Sequence, residues 1–364
     1  MQRGGFRASP LCWRARCGEL MRMKVGLYDD PVFREHDSGS GHPERPERVD
    51  AVRRGLRDAG LDERLTFLPT RPATDEELLR VHSDVHVRAV AATRGRIVTF
   101  DPDTQAGPRT YDAALHAAGC VVDATARVLD GELDRAFCLS RPPGHHAERD
   151  RVMGFCYFNN VAVAAADALA RGVERVLVVD FDVHHGNGTQ DIFHDDPRVL
   201  YVSTHAYPFY PGTGPLEDVG SGAGRGFTVN LPMPYASSDA EYLRVYREVV
   251  APIAKAYDPQ LVLLSAGFDA YDGDPLAGMR LTAGGYAALT GVCVDAASGA
   301  ARGRLVAALE GGYHLDGLAT SAAAVARVLL GEPPAVPTGE AHPVVDRLIA
   351  AFRETLAPFW AVLS

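Results

Sequence analysis

Along the chain, short apolar runs alternate with longer, alanine-rich stretches. The short runs fall at 25–28, 136–140, 175–180, 199–203, 228–231, 261–265 and 305–309. Several are apolar at almost every position, as strands buried on both faces must be. The longer stretches fall at 46–59, 75–92, 110–130, 159–171, 239–257, 282–299 and 316–330, and these read as helices. Residues 111–129 are rich in Ala and Val and are followed by Gly131, a plausible helix stop. Strands alternating with helices imply an α/β fold: one open, mostly parallel sheet with helices on both faces.

The Gly/Pro-rich segments at 36–48, 141–154, 207–226, 266–279 and 310–314 mostly follow strands. Ligands bind an open parallel sheet beyond the carboxyl ends of its strands, so these loops should gather there and form the site. No repeat or linker interrupts the chain, and residues 23–364 are expected to form a single domain. Residues 1–22 differ from the rest. They hold five arginines and one acid without an apolar period, which suggests a disordered or over-annotated leader. They also lack the apolar stretch of about 7–15 residues that a secretory signal needs.

Composition narrows the function. The formal charge of −10 argues against a nucleic-acid partner, since phosphate binding needs a basic face. Nothing approaches the run of about 18 apolar residues that a membrane span requires. The six cysteines (Cys12, Cys17, Cys120, Cys138, Cys156 and Cys293) form no CxxC pair and suggest isolated reduced thiols in a cytoplasmic protein. Homo-oligomerisation is compatible with the sequence but carries no signal in it.

The chemistry concentrates at strand ends. In VLVVDFDVHHGNG (176–188) an apolar strand runs into Asp180, Asp182 and His184. In extended backbone, positions i, i+2 and i+4 share a face. Two carboxylates buried side by side are costly unless a cation neutralises them, and Asp182 and His184 offer suitable oxygen and nitrogen donors for zinc. The run LVLLSAGFDA (261–270) repeats the pattern and ends on Asp269. Asp, His and Asp make a three-ligand site with a position left for water or substrate. In SRPPGHHAERD (140–150), His145 and His146 follow a strand and a Pro-Pro-Gly bend. Histidine has the intrinsic pKa for taking and returning a proton, and Asp180 could orient one of the two. In LEGGYH (309–314), Tyr313 sits on a glycine turn from which its hydroxyl could meet a developing oxyanion.

Taken together, RPPGHHA, DVHHGNG, YVSTH, FYPGTG, SAGFDA and EGGYH, in this order, resemble the zinc-dependent histone deacetylase and acetylpolyamine amidohydrolase superfamily. The resemblance runs from about residue 24 to about residue 330. It implies the arginase/deacetylase fold with an eight-stranded sheet, and zinc on Asp182, His184 and Asp269. His146 would be the principal base, His145 its electrostatic partner or a shuttle backed by Asp180, and Tyr313 the group that polarises the acetyl carbonyl. Gly154, Phe155 and Tyr210 would wall the substrate channel, with Leu276 at its mouth. Potassium would lie on the backbones of Asp180, Asp182, His184 and Thr204 with the side chains of Asp180 and Ser203. Arg48 resembles an arginine of the acetate exit. Asn187, behind the second histidine, stands where class I members carry Asp and looks like class II and bacterial members. Asp101 and Asp103 are candidate rim acids.

Acetylated lysine is the favoured substrate and an acetylated polyamine the alternative. A distal ammonium needs a carboxylate near the mouth, and Leu276 is apolar. Asp272, Asp274 and the 30–47 loop keep the alternative open. A silent acyl-lysine-binding protein would have to retain ligands, dyad and tyrosine without using them. A binuclear arginase would need a second ligand set that these strand ends lack.

Overall fold

The computed structural model describes residues 23–364, so the leader expected over 1–22, with Cys12 and Cys17, lies outside the described residues. Ten strands are formed: β1 (Val25–Tyr28), β2 (Thr66–Leu68), β3 (Val98–Asp101), β4 (Thr104–Ala106), β5 (Arg135–Cys138), β6 (Val176–Asp180), β7 (Val199–Ala206), β8 (Thr228–Met233), β9 (Leu261–Ala266) and β10 (Leu305–Leu309). Eight of them make one sheet in the order β2-β1-β5-β10-β9-β6-β7-β8, and every pairing in it is parallel. The helices are α1 (Glu47–Asp58), α2 (Asp75–Leu79), α3 (Asp84–Ala91), α4 (Thr110–Leu129), α5 (Asn160–Ala170), α6 (Asn187–Phe193), α7 (Asp239–Val245), α8 (Ala251–Tyr257), α9 (Ala283–Ala296), α10 (Leu315–Leu329) and α11 (Val344–Leu356). No helix among the described residues is long and apolar enough to cross a membrane.

Every residue of β5, β6, β9 and β10 is buried, which explains why these strands read as unbroken apolar runs. Their register aligns the carboxyl ends. Asp180 pairs with Ser203 of β7 on one side and with Ser265 of β9 on the other. The loops that leave β5, β6, β9 and β10 therefore start side by side.

The elements differ from expectation at a few places. Three-residue β2 is an edge strand too short and too exposed to register as a run. The stretch 75–92 is two helices, because Ser83 caps a new start by accepting from the His86 amide. The stretch 239–257 is continuous but passes through a π turn at Tyr246–Val250. Helix α11 lies beyond the predicted elements although its buried positions, Val345, Ile349, Phe352 and Leu356, follow a helical period. The β3–β4 hairpin, separate from the main sheet, was also unpredicted.

Candidate active site

Asp182 and His184 leave the end of β6, and Asp269 leaves the end of β9. Their donor atoms all lie within 4.8 Å of one another, the one such grouping among the described residues. The Nδ1 of His184 sits 3.1 Å from Asp182 Oδ1 and 3.1 Å from Asp269 Oδ2. Backbone amides hold both carboxylates in place. Gly311 donates to Asp182 Oδ2 at 2.8 Å and Val183 donates to Asp269 Oδ1 at 2.8 Å. Residue 311 must be glycine, because a Cβ there would come within 2.1 Å of Asp269 Oδ2 and 2.6 Å of Asp182 Oδ2.

The electrostatics of the trio demand positive charge. Burial, and then the neighbouring Asp182 charge, push the Asp269 carboxyl up to about 7. Burial also opposes the Asp182 charge, but His145 and His184 overcome it and hold that carboxyl below its usual range. His184 is itself disfavoured by burial, yet Asp269 and Asp182 push it up to about 10. Two carboxylates and one imidazole, converging in a buried cradle, fit a divalent cation of zinc's preferences.

His145 and His146 lie beside the trio, with ring centres 4.0 Å apart. Glu310, at the end of β10, shapes the bend before them. Its carboxylate accepts from the Gly144 amide at 2.6 Å and the His145 amide at 3.1 Å, and from Ser265 Oγ at 3.2 Å. No local pattern in the sequence announces this role of Glu310.

The two imidazoles are driven apart electrically. His145 Nδ1 lies 3.0 Å from Asp180 Oδ2, which also accepts from the Tyr201 hydroxyl at 3.1 Å. Burial disfavours its charge, but Asp182 and Asp180 outweigh this and push it up to about 10. His146 Nδ1 lies 2.7 Å from Asn187 Oδ1, an uncharged partner. Burial, then His145 and His184, hold His146 well below its ordinary value. One histidine of the pair is thus suited to carry a proton and the other to accept one.

Tyr313 follows the glycine turn after β10 and is buried. Burial pushes its phenol well above the ordinary value, so the hydroxyl stays a hydrogen-bond donor. Arg48, fully buried, lies with its guanidinium 4.9 Å from the Tyr313 ring centre. It donates to Gly312 O at 2.7 Å, to Glu310 O and, at 3.0 Å, to Glu44, so it clamps the turn on which Tyr313 stands.

Asp274 is not a surface acid. It is buried, and accepts from the Tyr313 amide at 2.7 Å, the His314 amide at 3.0 Å and the Leu276 amide at 3.0 Å. Half-buried Leu276 is therefore tied to the same carboxylate as Tyr313.

Aromatic rings surround the trio, the histidine pair and Tyr313. Phe155 lies edge-on to Tyr313 with centres 6.0 Å apart, and His42 lies edge-on to Phe155 at 4.6 Å. Tyr210 is 5.3 Å from His146 and 5.9 Å from His184. Phe209, which sequence inspection did not single out, stacks 5.5 Å from His184. Gly154 (φ 57°) passes so close to His146 that a Cβ would lie 2.4 Å from its Cδ2. Phe155 itself adopts φ 69°, a conformation that costs a non-glycine residue about 1–3 kcal/mol and persists where surroundings impose it.

Asp101 and Asp103 belong to the β3–β4 hairpin. It meets these rings through Thr104 Oγ1, which accepts from the Phe155 amide at 3.1 Å, and through Asp103 O, 3.1 Å from His42 Nε2. Asp103 is exposed and Asp101 half-buried. Around buried Asp180, Ser203 Oγ contacts His205 Nδ1 at 2.9 Å and Thr204 Oγ1 contacts the Tyr246 hydroxyl at 3.2 Å. The four described cysteines are buried and unpaired.

Comparison with known proteins agrees with this arrangement. Residues 42–329 match the family model described as the histone deacetylase domain. Histone deacetylase 5 of Arabidopsis thaliana is 40% identical over 363 residues, covering 94% of this chain and 54% of that protein. A probable deacetylase of Archaeoglobus fulgidus is 41% identical over 299 residues, covering 81% of this chain and 83% of its own. Polyamine deacetylase HDAC10 of Homo sapiens is 41% identical over 357 residues, covering 93% of this chain and 51% of that protein. This chain thus spans about half the length of two of these three relatives. The crystal structure of the HDA15 HD domain superposes with a TM-score of 0.87 at 38% identity, covering 94% of this chain and 96% of that one. Its fold is the arginase/deacetylase fold, the parallel eight-stranded sheet found here. With a family match spanning most of the residues that build the sheet and the buried trio, the chain belongs to the histone deacetylase family.

Proposed function

We propose that this protein is a zinc-dependent deacetylase acting on acetylated lysine, with Asp182, His184 and Asp269 as the metal ligands. Family membership supports a deacetylase-type, metal-assisted hydrolase. The observation that carries the finer reading is the split histidine pair beside the trio, with Tyr313 on a turn held by Arg48 and Asp274. A divalent metal in the trio supplies Lewis acidity, polarising an acyl carbonyl and lowering the pKa of water.

The chain's own residues do the rest. Phe155, Phe209 and Tyr210 seat the alkyl chain that leads to the amide and keep bulk water away. Tyr313 donates its hydroxyl to the acyl oxygen as negative charge develops there. His146, neutral with Nδ1–H directed to Asn187, uses Nε2 to take the proton of the attacking water. His145, paired through Nδ1 with Asp180, stabilises that charge shift and can return a proton to the departing amine. Arg48 positions Tyr313 and faces the acetate side. On the same reading a structural potassium would be held by the backbone oxygens of Asp180, Asp182, His184 and Thr204 with the side chains of Asp180 and Ser203, hard donors suited to a hard cation.

Acetyl-lysine is favoured because Leu276 is apolar and Asp274 is already committed to three backbone amides. A distal ammonium would have to find Asp101, Asp103 or exposed Asp272 instead. The direct test is acetate release from an acetyl-lysine peptide by zinc-loaded protein, lost on stripping with dipicolinate and regained on adding zinc. Tyr313→Phe is expected to keep the zinc and lower kcat by about 10²–10³-fold, the usual cost of one oxyanion donor. Full turnover in that variant would remove Tyr313 from the mechanism.

A further inference from the structure

Asn187 accepts from His146 through Oδ1, but an asparagine amide is pseudo-symmetric and could equally turn its NH2 toward the ring. In the turned state His146 would have to carry its proton on Nε2 and could not accept one from water. One neighbour decides between the two. Glu148 Oε1 lies 2.6 Å from Asn187 Nδ2. Turning the amide would set its carbonyl oxygen against a carboxylate oxygen, two acceptors with no proton between them.

Glu148 is itself well placed to hold this orientation. Its own amide donates to Arg151 O at 3.0 Å, and its carbonyl lies 3.0 Å from His82 Nδ1. Asn187 has only Met153 Sδ at 3.3 Å and His146 O at 3.5 Å as other acceptors for its NH2, both weak. Among the described residues Glu148 pairs with no arginine or lysine, so its acceptor capacity is directed at Asn187.

We infer that Glu148 is a positioning residue of the reaction, which locks the Asn187 amide and thereby fixes the His146 tautomer that leaves Nε2 free. Charge that could sit directly behind the histidine is set one amide further back. The inference rests on His146 being the base.

The test compares substitutions at 148 in two backgrounds, with zinc content and circular dichroism confirming folded, loaded protein. Glu148→Ala is expected to lower kcat by about ten- to a hundredfold, the range for loss of a hydrogen bond to a charged group, with KM changed less than about twofold. Asn187→Asp sets two carboxylates against each other at this contact. In that background Glu148→Gln should therefore raise kcat by about tenfold, whereas in the unaltered protein it should lower it. Imidazole 15N shifts should show His146 protonated at Nδ1, and a mixture of tautomers in Glu148→Ala. A purely structural role gives Glu148→Gln the same sign in both backgrounds and leaves the 15N shifts alone, and that result overturns the inference. If His146→Ala is inactive while Glu148→Ala is fully active, only the role of Glu148 falls. If His146→Ala keeps full turnover, the base itself has been misassigned.

Discussion

Asp269→Asn is expected to abolish stoichiometric zinc binding and to lower deacetylation by about a thousandfold or more. The substitution keeps an oxygen for the Val183 amide, now 2.8 Å from Asp269 Oδ1, so the loop at the end of β9 has no reason to collapse. What it removes is one of two negative charges that His184 Nδ1 faces at 3.1 Å. Lewis-acid stabilisation is worth several kcal/mol, and each factor of ten in rate is about 1.4 kcal/mol, which sets the expected scale. Metal analysis by mass spectrometry checks the binding half, and acetate release checks the other. A variant that holds one zinc per chain and turns over normally would exclude Asp269 as a ligand.

The second large effect falls on the histidine pair. His146→Ala is expected to retain zinc and lower kcat by about 10²–10⁴-fold, the span usual for general acid–base catalysis. His145→Ala should cost less, because His145, paired through Nδ1 with Asp180, is proposed to act on charge and proton return rather than as the first acceptor. The assignment follows from surroundings. Asp182 and Asp180 raise His145, while burial, His145 and His184 depress His146. Steady-state kinetics on the two variants, side by side, checks the order. A larger loss for His145→Ala would exchange the roles.

The features legible in the sequence share a property: their signals are local. The runs at 25–28 and 305–309 match β1 and β10 because strands buried on both faces write themselves as continuous apolar segments. Asp180, Asp182, His184, Asp269 and Tyr313 are visible because each stands at the end of such a run or within a few residues beyond it. What escaped depends on partners far away in the chain. Glu310 shapes the bend at Gly144 across 166 residues, and Glu148 meets Asn187 across 39. Asp274 reads in the sequence as an acid that keeps a polyamine substrate open, because nothing nearby in sequence announces the Tyr313 and His314 amides that consume it. Helix α6 hides for a different reason, since Gly186 and Gly188 at its start weaken any helical pattern. The β3–β4 hairpin hides because its strands are only four and three residues long and stand apart from the main sheet, and with it went a secure placement of Asp101 and Asp103.

In the proposed function, substrate choice rests on the loop that carries Leu276. An apolar Leu276 and a committed Asp274 leave no carboxylate on that loop except exposed Asp272 to pair with a distal ammonium. On that proposal an acetylated lysine within a peptide asks for no such pairing, and Asp101 or Asp103 would meet its backbone instead.

The measurement that bears most directly on this is kcat/KM of the zinc-loaded protein on an acetyl-lysine peptide and on N8-acetylspermidine, determined in the same assay. The expected result is acetate release from both or from the peptide alone, with the peptide preferred by about a hundredfold, or roughly 2.7 kcal/mol at the transition state. Preference for the polyamine would contradict the substrate assignment and point to an acid over the channel, and release from neither would contradict the deacetylase assignment itself.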